Sequence, residues 1–189
     1  MRGFLAMSWW ILLAAFFALA VAPAMTAISA FTTLPELGIS VSGYEEFFGA
    51  DHQAQGRLAA GFVTDPVFRQ TDIALALIMV GLVIALILTR GKPSSTSSKA
   101  NIVLPIVLVL AIAIQAVLMI AILPRMNADL MAYRTAAKAN DATAATEGLD
   151  AFNTLHPTAE RLYGIRALLA LGMIAASGFA AGSRREGTA

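Results

Sequence analysis

The sequence predicts an all-α integral membrane protein, a four-helix bundle with helical extracytoplasmic loops, forming one membrane domain over residues 1–189. Three observations predict it. Hydrophobic residues make up 58% of the chain and charged ones only 13%, with a mean hydropathy of +0.74; a soluble domain carries about 25% charged residues. The scarce charge leaves four apolar stretches, each long enough for a hydrocarbon layer roughly 30 Å thick, which takes about 20 helical residues. Basic residues also gather on the connections that a four-span topology puts on one side. A net charge of +1 gives no reason to expect nucleic acid as a partner. With no cysteine, disulfides, iron–sulfur clusters and thiolate catalysis are excluded.

The first span covers Phe4–Ala30, preceded by Arg2. It imitates a secretory signal, with a basic start and small residues at Ala18-Leu19-Ala20 and Ala22-Pro23-Ala24. Its apolar core, Phe4–Val21, exceeds the roughly 7–15 residues of a signal, so we expect a retained helix, kinked at Pro23. From Leu34-Pro35 to Thr71 the chain is polar and too long for a structureless loop. Tyr44, Phe47, Phe48, Leu58, Phe62 and Phe68 there predict short amphipathic helices at the membrane interface.

Asp72–Thr89 is the second span, closed by Arg90, and Gly91–Ala100 reads as a solvated turn. Its GKPSST lacks the upstream glycine and strand of a phosphate-binding loop. Ile102–Leu123 is the third span, with Gln115 in its middle. Beyond Pro124, Leu130, Tyr133 and Ala137 recur at helical spacing, and Leu149, Phe152 and Leu155 form a second stripe. These two stripes predict an αα-hairpin around a turn at Asn140–Thr146. Pro157 then opens the last helix, whose span covers residues 162–182.

Arg90, Lys92 and Lys99 crowd the short loop, Arg2 precedes the first span, and Arg184 and Arg185 follow the last. The positive-inside rule therefore places both termini in the cytoplasm and both acidic long connections outside, which predicts a multi-pass protein of the cell (inner) membrane. An internal pattern also emerges. Leu34-Pro35-Glu36-Leu37 resembles Leu123-Pro124-Arg125-Met126, and Pro66 and Pro157 each open the next span and are each followed fifteen residues later by a glycine, Gly81 and Gly172. This reads as two copies of a helical hairpin.

The polar residues cluster before the last span. His156, Glu160, Tyr163 and Arg166 mark that junction, and with mid-span Gln115 they form the candidate ligand-binding set. The plainer role for Glu160, Arg161 and Arg166 is to anchor the helix and to pair with Asp72 or a loop carboxylate. His52 and His156 fall on one predicted side and form a weak candidate metal pair, without helical ligand spacing. No histidine lies within a span to ligate haem, and no cofactor is expected. Ser8, Ser29 and Ser177 have no histidine in register, so no nucleophile–base pair is visible and no catalytic residue is assigned. Gly172, Ala176, Gly178 and Gly182 give the last helix a small-residue face for packing within the bundle or in a homo-oligomer.

Val21-Ala22-Pro23-Ala24 and Phe152-x-x-Leu155-His156 resemble a family of four-span membrane proteins of unknown function, one of which is a transmembrane protein associated with resistance to platinum drugs. Members tend to follow F-x-x-L-H with a serine and an asparagine, where this chain has Pro157, Thr158 and Arg161. A looser resemblance, to small four-span proteins related to anthrone oxygenases, lacks their asparagine-proline turn. The leading expectation is a non-enzymatic membrane protein that binds a small molecule or lipid or acts in assembly. The second is a cofactor-independent oxygenase or isomerase using His156, Glu160 and Arg166. The third is an oligomeric transporter with Gln115 near its path.

Overall fold

The helices stop less often than the sequence predicts. The computed structural model describes the backbone of residues 2–90 and 100–186, and side-chain surroundings for 4–88 and 102–179. The turn over 91–99 lies outside the described residues, and so do the surroundings of Gly182, Arg184 and Arg185. Helix α1 runs Arg2–Glu36, a single turn α2 Glu45–Phe48, and α3 His52–Arg90. Helix α4 spans Ala100–Val117 and passes through a π turn, Leu118–Ile122, into α5, Leu123–Lys138; α6 spans Ala142–Glu186. Four helical segments, Phe4–Glu36, His52–Leu88, Ile102–Lys138 and Ala142–Phe179, are long and apolar enough to cross a membrane. The protein is a multi-pass, all-α membrane bundle.

Pro66 and Pro157 correct the predicted boundaries. Neither opens a span; both lie inside long helices of 39 and 45 residues. An interior proline leaves the carbonyl four residues earlier without its amide. Those carbonyls belong to Phe62 and Asn153, both exposed residues ahead of the predicted spans, and the helix continues past each proline. His156 is accordingly helical rather than biased away from helix. The π turn comes just before Pro124; its wider ring of backbone relieves the clash that the proline makes one turn back.

The chain groups into two compact units, where the sequence reads as one domain. The first takes in Met1–Val21, Asp72–Ala116 and Tyr163–Ala189. Its buried positions fall at alternating spacings of three and four: Leu75, Met79 and Leu82 on α3; Leu104, Leu108 and Ala111 on α4; Ala170 and Met173 on α6. This is the spacing of a heptad-like seam, with buried side chains on one stripe of each helix. The opposite faces are equally apolar and exposed, as at Ile73, Leu77, Val80, Ile84, Val109 and Leu168. Helices that are apolar all round need a hydrocarbon environment. Trp9 adds a polar link, donating its indole N–H to the Ser177 hydroxyl at 3.0 Å.

The second unit takes in Ala22–Thr71 and Val117–Leu162. Tyr44, Leu58, Ala137 and Ala145 form its core, with Val41, Phe47, Phe48, Tyr133 and Ala136 packed against them. The aromatics predicted to lie on a membrane surface are thus partly spent on a core, and α2 is only four residues long. Gln55, 2% exposed, ties down the preceding turn: it accepts the Val41 amide at 3.0 Å and donates to the Gly49 carbonyl at 3.1 Å. The αα-hairpin of α5 and α6 is present, but its turn at Asn140, φ 57°, is shorter than the predicted Asn140–Thr146, since α6 already begins at Ala142.

Each half of the chain is a helix, a turn and a longer helix. Asp51 and Asp141 cap the two longer helices, accepting the amides of Ala54 and Ala144 at 2.9 and 3.0 Å. Each hairpin also closes on a glycine. A Cβ on Gly56 would collide with the Pro35 backbone, and one on Gly148 would lie 2.7 Å from the Tyr133 nitrogen. These correspondences extend the pattern of Pro66/Pro157 and Gly81/Gly172.

Candidate functional site: a buried polar cluster on three helices

The heptad seams of α3, α4 and α6 are interrupted by charge. Asp72 lies three residues before Leu75, Gln115 four after Ala111, and Arg166 four before Ala170, so all three point into the first unit. Arg166 is 0% exposed, Asp72 2% and Gln115 4%. The Arg166 Nη1 group donates to Asp72 Oδ1 at 2.5 Å and to Gln115 Oε1 at 2.6 Å. Gln115 Nε2 donates to the Asp72 carbonyl at 3.0 Å. The Tyr163 hydroxyl donates to Asp72 Oδ2 at 2.9 Å, and the Arg166 guanidinium lies 4.7 Å from the Tyr163 ring centre. Tyr163 and Arg166 reach one carboxylate because residues three apart share a helix face.

The cluster is electrically neutral, and its side-chain acceptors are all engaged. Both carboxylate oxygens of Asp72, and both the oxygen and the nitrogen of the Gln115 side-chain amide, are engaged by protein groups. Moving a lone arginine to the bilayer centre costs about 2.5–3.5 kcal/mol on insertion scales, so a counter-charge and several hydrogen bonds are what make it tolerable. Two donors of Arg166, Nε and Nη2, are buried without a partner.

Of the predicted ligand set, the structure brings together Gln115, Tyr163 and Arg166. It does not bring His156 or Glu160 to them. His156 Nε2 lies 3.2 Å from Glu160 Oε1, one turn along α6, with side chains 45% and 66% exposed. The His156 ring stacks on Phe152 with centroids 5.0 Å apart. His52 is exposed at the start of α3, and no group of three or more His, Asp or Glu side chains able to hold a metal occurs among the described residues. Gly172 and Gly178 face open space, and Ala176 is half-buried.

The expected pairing of Arg166 with Asp72 is present, and Asp72 is also the hub on which Tyr163 and Gln115 converge. The readable signal was its register: an aspartate on the same heptad stripe as buried leucines belongs inside the bundle. A second pair was missed outright. Arg134, 5% exposed, donates to Asp65 Oδ2 at 3.2 Å and lies 4.3 Å over the Phe62 ring, all within the second unit. Its position three residues before the buried Ala137 was the available sign.

No known family model, curated protein or solved structure matches this chain.

Proposed function

We propose that this is a non-enzymatic integral membrane protein, a binding or assembly module for a small molecule or lipid. In this reading the Asp72 cluster fastens the bundle and turns over no substrate. Both termini are cytoplasmic and the membrane is the cell's inner one, as the distribution of Arg2, Arg90, Lys92, Lys99, Arg184 and Arg185 favours. One observation carries the reading: every oxygen of the Asp72 carboxylate and of the Gln115 side chain is engaged by a neighbouring helix, with all four side chains at least largely withdrawn from water. A reaction centre on His156, Glu160 and Arg166 lacks geometric support, since His156 and Glu160 pair with each other on an exposed face. A transport path through Gln115 gains none either, because its amide is occupied and 4% exposed.

The test is native mass spectrometry of protein released from nanodiscs, comparing wild type with a charge-free cluster: Asp72→Leu, Gln115→Leu, Tyr163→Phe and Arg166→Leu together. Replacing a whole buried ion pair by apolar groups is often neutral in stability. We expect the variant to fold and to retain the same bound mass and oligomeric state. A folded variant that loses its bound molecule would move the working site into the cluster and defeat this reading.

A further inference from the structure

The second unit holds a feature that the Asp72 cluster does not have: a buried guanidinium beside an open depression. The depression, about 330 Å³, is lined by Tyr44, Phe62, Met131, Arg134, Thr135 and Lys138, among others. That volume is at the lower end of small-ligand sites. Its lining combines aromatic and thioether surface with two cations and includes no carboxylate.

Arg134 is held in a particular way. Nη1 is committed to Asp65, and one face of the guanidinium rests on Phe62. Nε and Nη2 are buried and have no partner. Those two N–H groups are the parallel donors along one edge of the fork, the edge that takes a carboxylate or phosphate bidentately. Gly61 leaves room beside it: a Cβ there would lie 3.4 Å from Nη2. Lys138 supplies a second charge from one helical turn further along α5. Its stem packs where a Cβ on Gly43 would stand, 3.1 Å from Cε, and Gly43 has φ +84°. A side chain at Gly43 would be strained by its backbone and crowded by the lysine. Asp65 neutralises one of the two cations, so Asp65, Arg134 and Lys138 together keep one positive charge.

We propose that this depression binds an oxyanion carried on an apolar body, a carboxylate or phosphate whose charge meets the free edge of Arg134 and Lys138. The apolar body lies against Tyr44, Phe62 and Met131. The edge is shielded from bulk water in this structure, so an arriving anion displaces a lining side chain to reach it. The inference rests on the binding-module reading and names the ligand class for it. The same chemistry is offered by the headgroup of an anionic lipid and by a free amphiphile, and the experiment separates them.

Decyl phosphate is titrated into the full-length protein in phosphatidylcholine nanodiscs, with decanol as the uncharged control. In parallel, nanodiscs containing phosphatidylglycerol are analysed for lipid retained by the released protein. Arg134→Lys keeps the charge facing Asp65 but removes the bidentate edge, and Lys138→Gln removes an exposed charge. We expect saturable binding of decyl phosphate, about tenfold weaker in each variant, as loss of one charge-assisted contact predicts, and none of decanol. Retention of phosphatidylglycerol that disappears in the variants assigns the site to a membrane lipid; binding of decyl phosphate alone assigns it to a free amphiphile. Unchanged affinity in Arg134→Lys, or no saturable binding in either arm, overturns the proposal. Should Arg134→Lys not fold, Lys138→Gln decides, since its site is solvent-facing. A wild-type protein that keeps a neutral molecule through purification yet ignores both anions would overturn this site and leave the binding-module reading standing.

Discussion

Asp65 and Asp72 stand two helical turns apart on α3, and each holds a buried arginine. The surroundings differ. Asp72 has a side chain 3% exposed and shares Arg166 with Gln115 and Tyr163, whereas Asp65 is 42% exposed and holds Arg134 alone. The first pair sits in a seam of leucines with exposed apolar residues outside it; the second belongs to a unit whose core is small and aromatic. An ion pair withdrawn from water cannot lose one partner without leaving the other stranded, while a half-exposed pair is backed by solvent. The two units are therefore held by different means. The first depends on charge compensation among three helices. The second combines close backbone approach at Gly56 and Gly148 with an ion pair of which one partner, Asp65, reaches water.

The largest effect should come from splitting the inner pair. Asp72→Leu strands Arg166 and should lower stability by about 3–5 kcal/mol, read as the midpoint of unfolding in a denaturing-detergent titration. Adding Arg166→Leu to it should restore most of that loss; a double variant as unstable as the single would show that charge compensation is not what holds this region. Next comes the glycine contact. Gly148→Ala puts a methyl against the Tyr133 backbone, which cannot rotate away, and should cost about 1–3 kcal/mol by overpacking. A neutral result would mean that α5 and α6 separate easily.

Asp65→Asn should cost less than Asp72→Leu, because Asp65 is 42% exposed and water reaches the place its charge vacates, although Arg134 itself stays buried. Its effect should shrink in high salt while that of Asp72→Leu does not, because screening acts on the charge that water reaches. Equal salt sensitivity would erase the distinction between the two pairs. The smallest effect belongs to His156→Ala, which breaks an exposed contact with Glu160 and should change the midpoint by less than about 0.5 kcal/mol. A large loss there would reveal a role for His156 beyond its stacking on Phe152.

Gly178→Leu sharpens the comparison from outside the pairs. Its position faces open space, so the folded monomer should tolerate the change. Dissociation of an oligomer by native mass spectrometry would assign the small-residue face of α6 to association; an unchanged oligomer would assign it to lipid.

Much was legible from the residue order because a membrane imposes strong local rules. A run such as Ile73–Leu88 has no stable place in water, so the four spans, the all-α class and the hairpin of α5 and α6 followed from hydropathy and helical spacing. The pairing of Pro66 with Pro157 likewise belongs to local sequence. Beyond the pairing of Arg166 with Asp72, the residue order could not decide which polar groups meet. Gln115, Tyr163 and Arg166 were readable as intramembrane polar residues, but their convergence on Asp72 depends on the rotation of three helices about their axes. That rotation is decided by how the leucine seams interlock. His156 and Glu160 looked like members of the same site because they are neighbours in sequence. The helix that runs through Pro157 instead pairs them with each other on an exposed face, since residues four apart on a helix lie side by side. Only tertiary packing separates a charge that fastens the bundle from one that faces water.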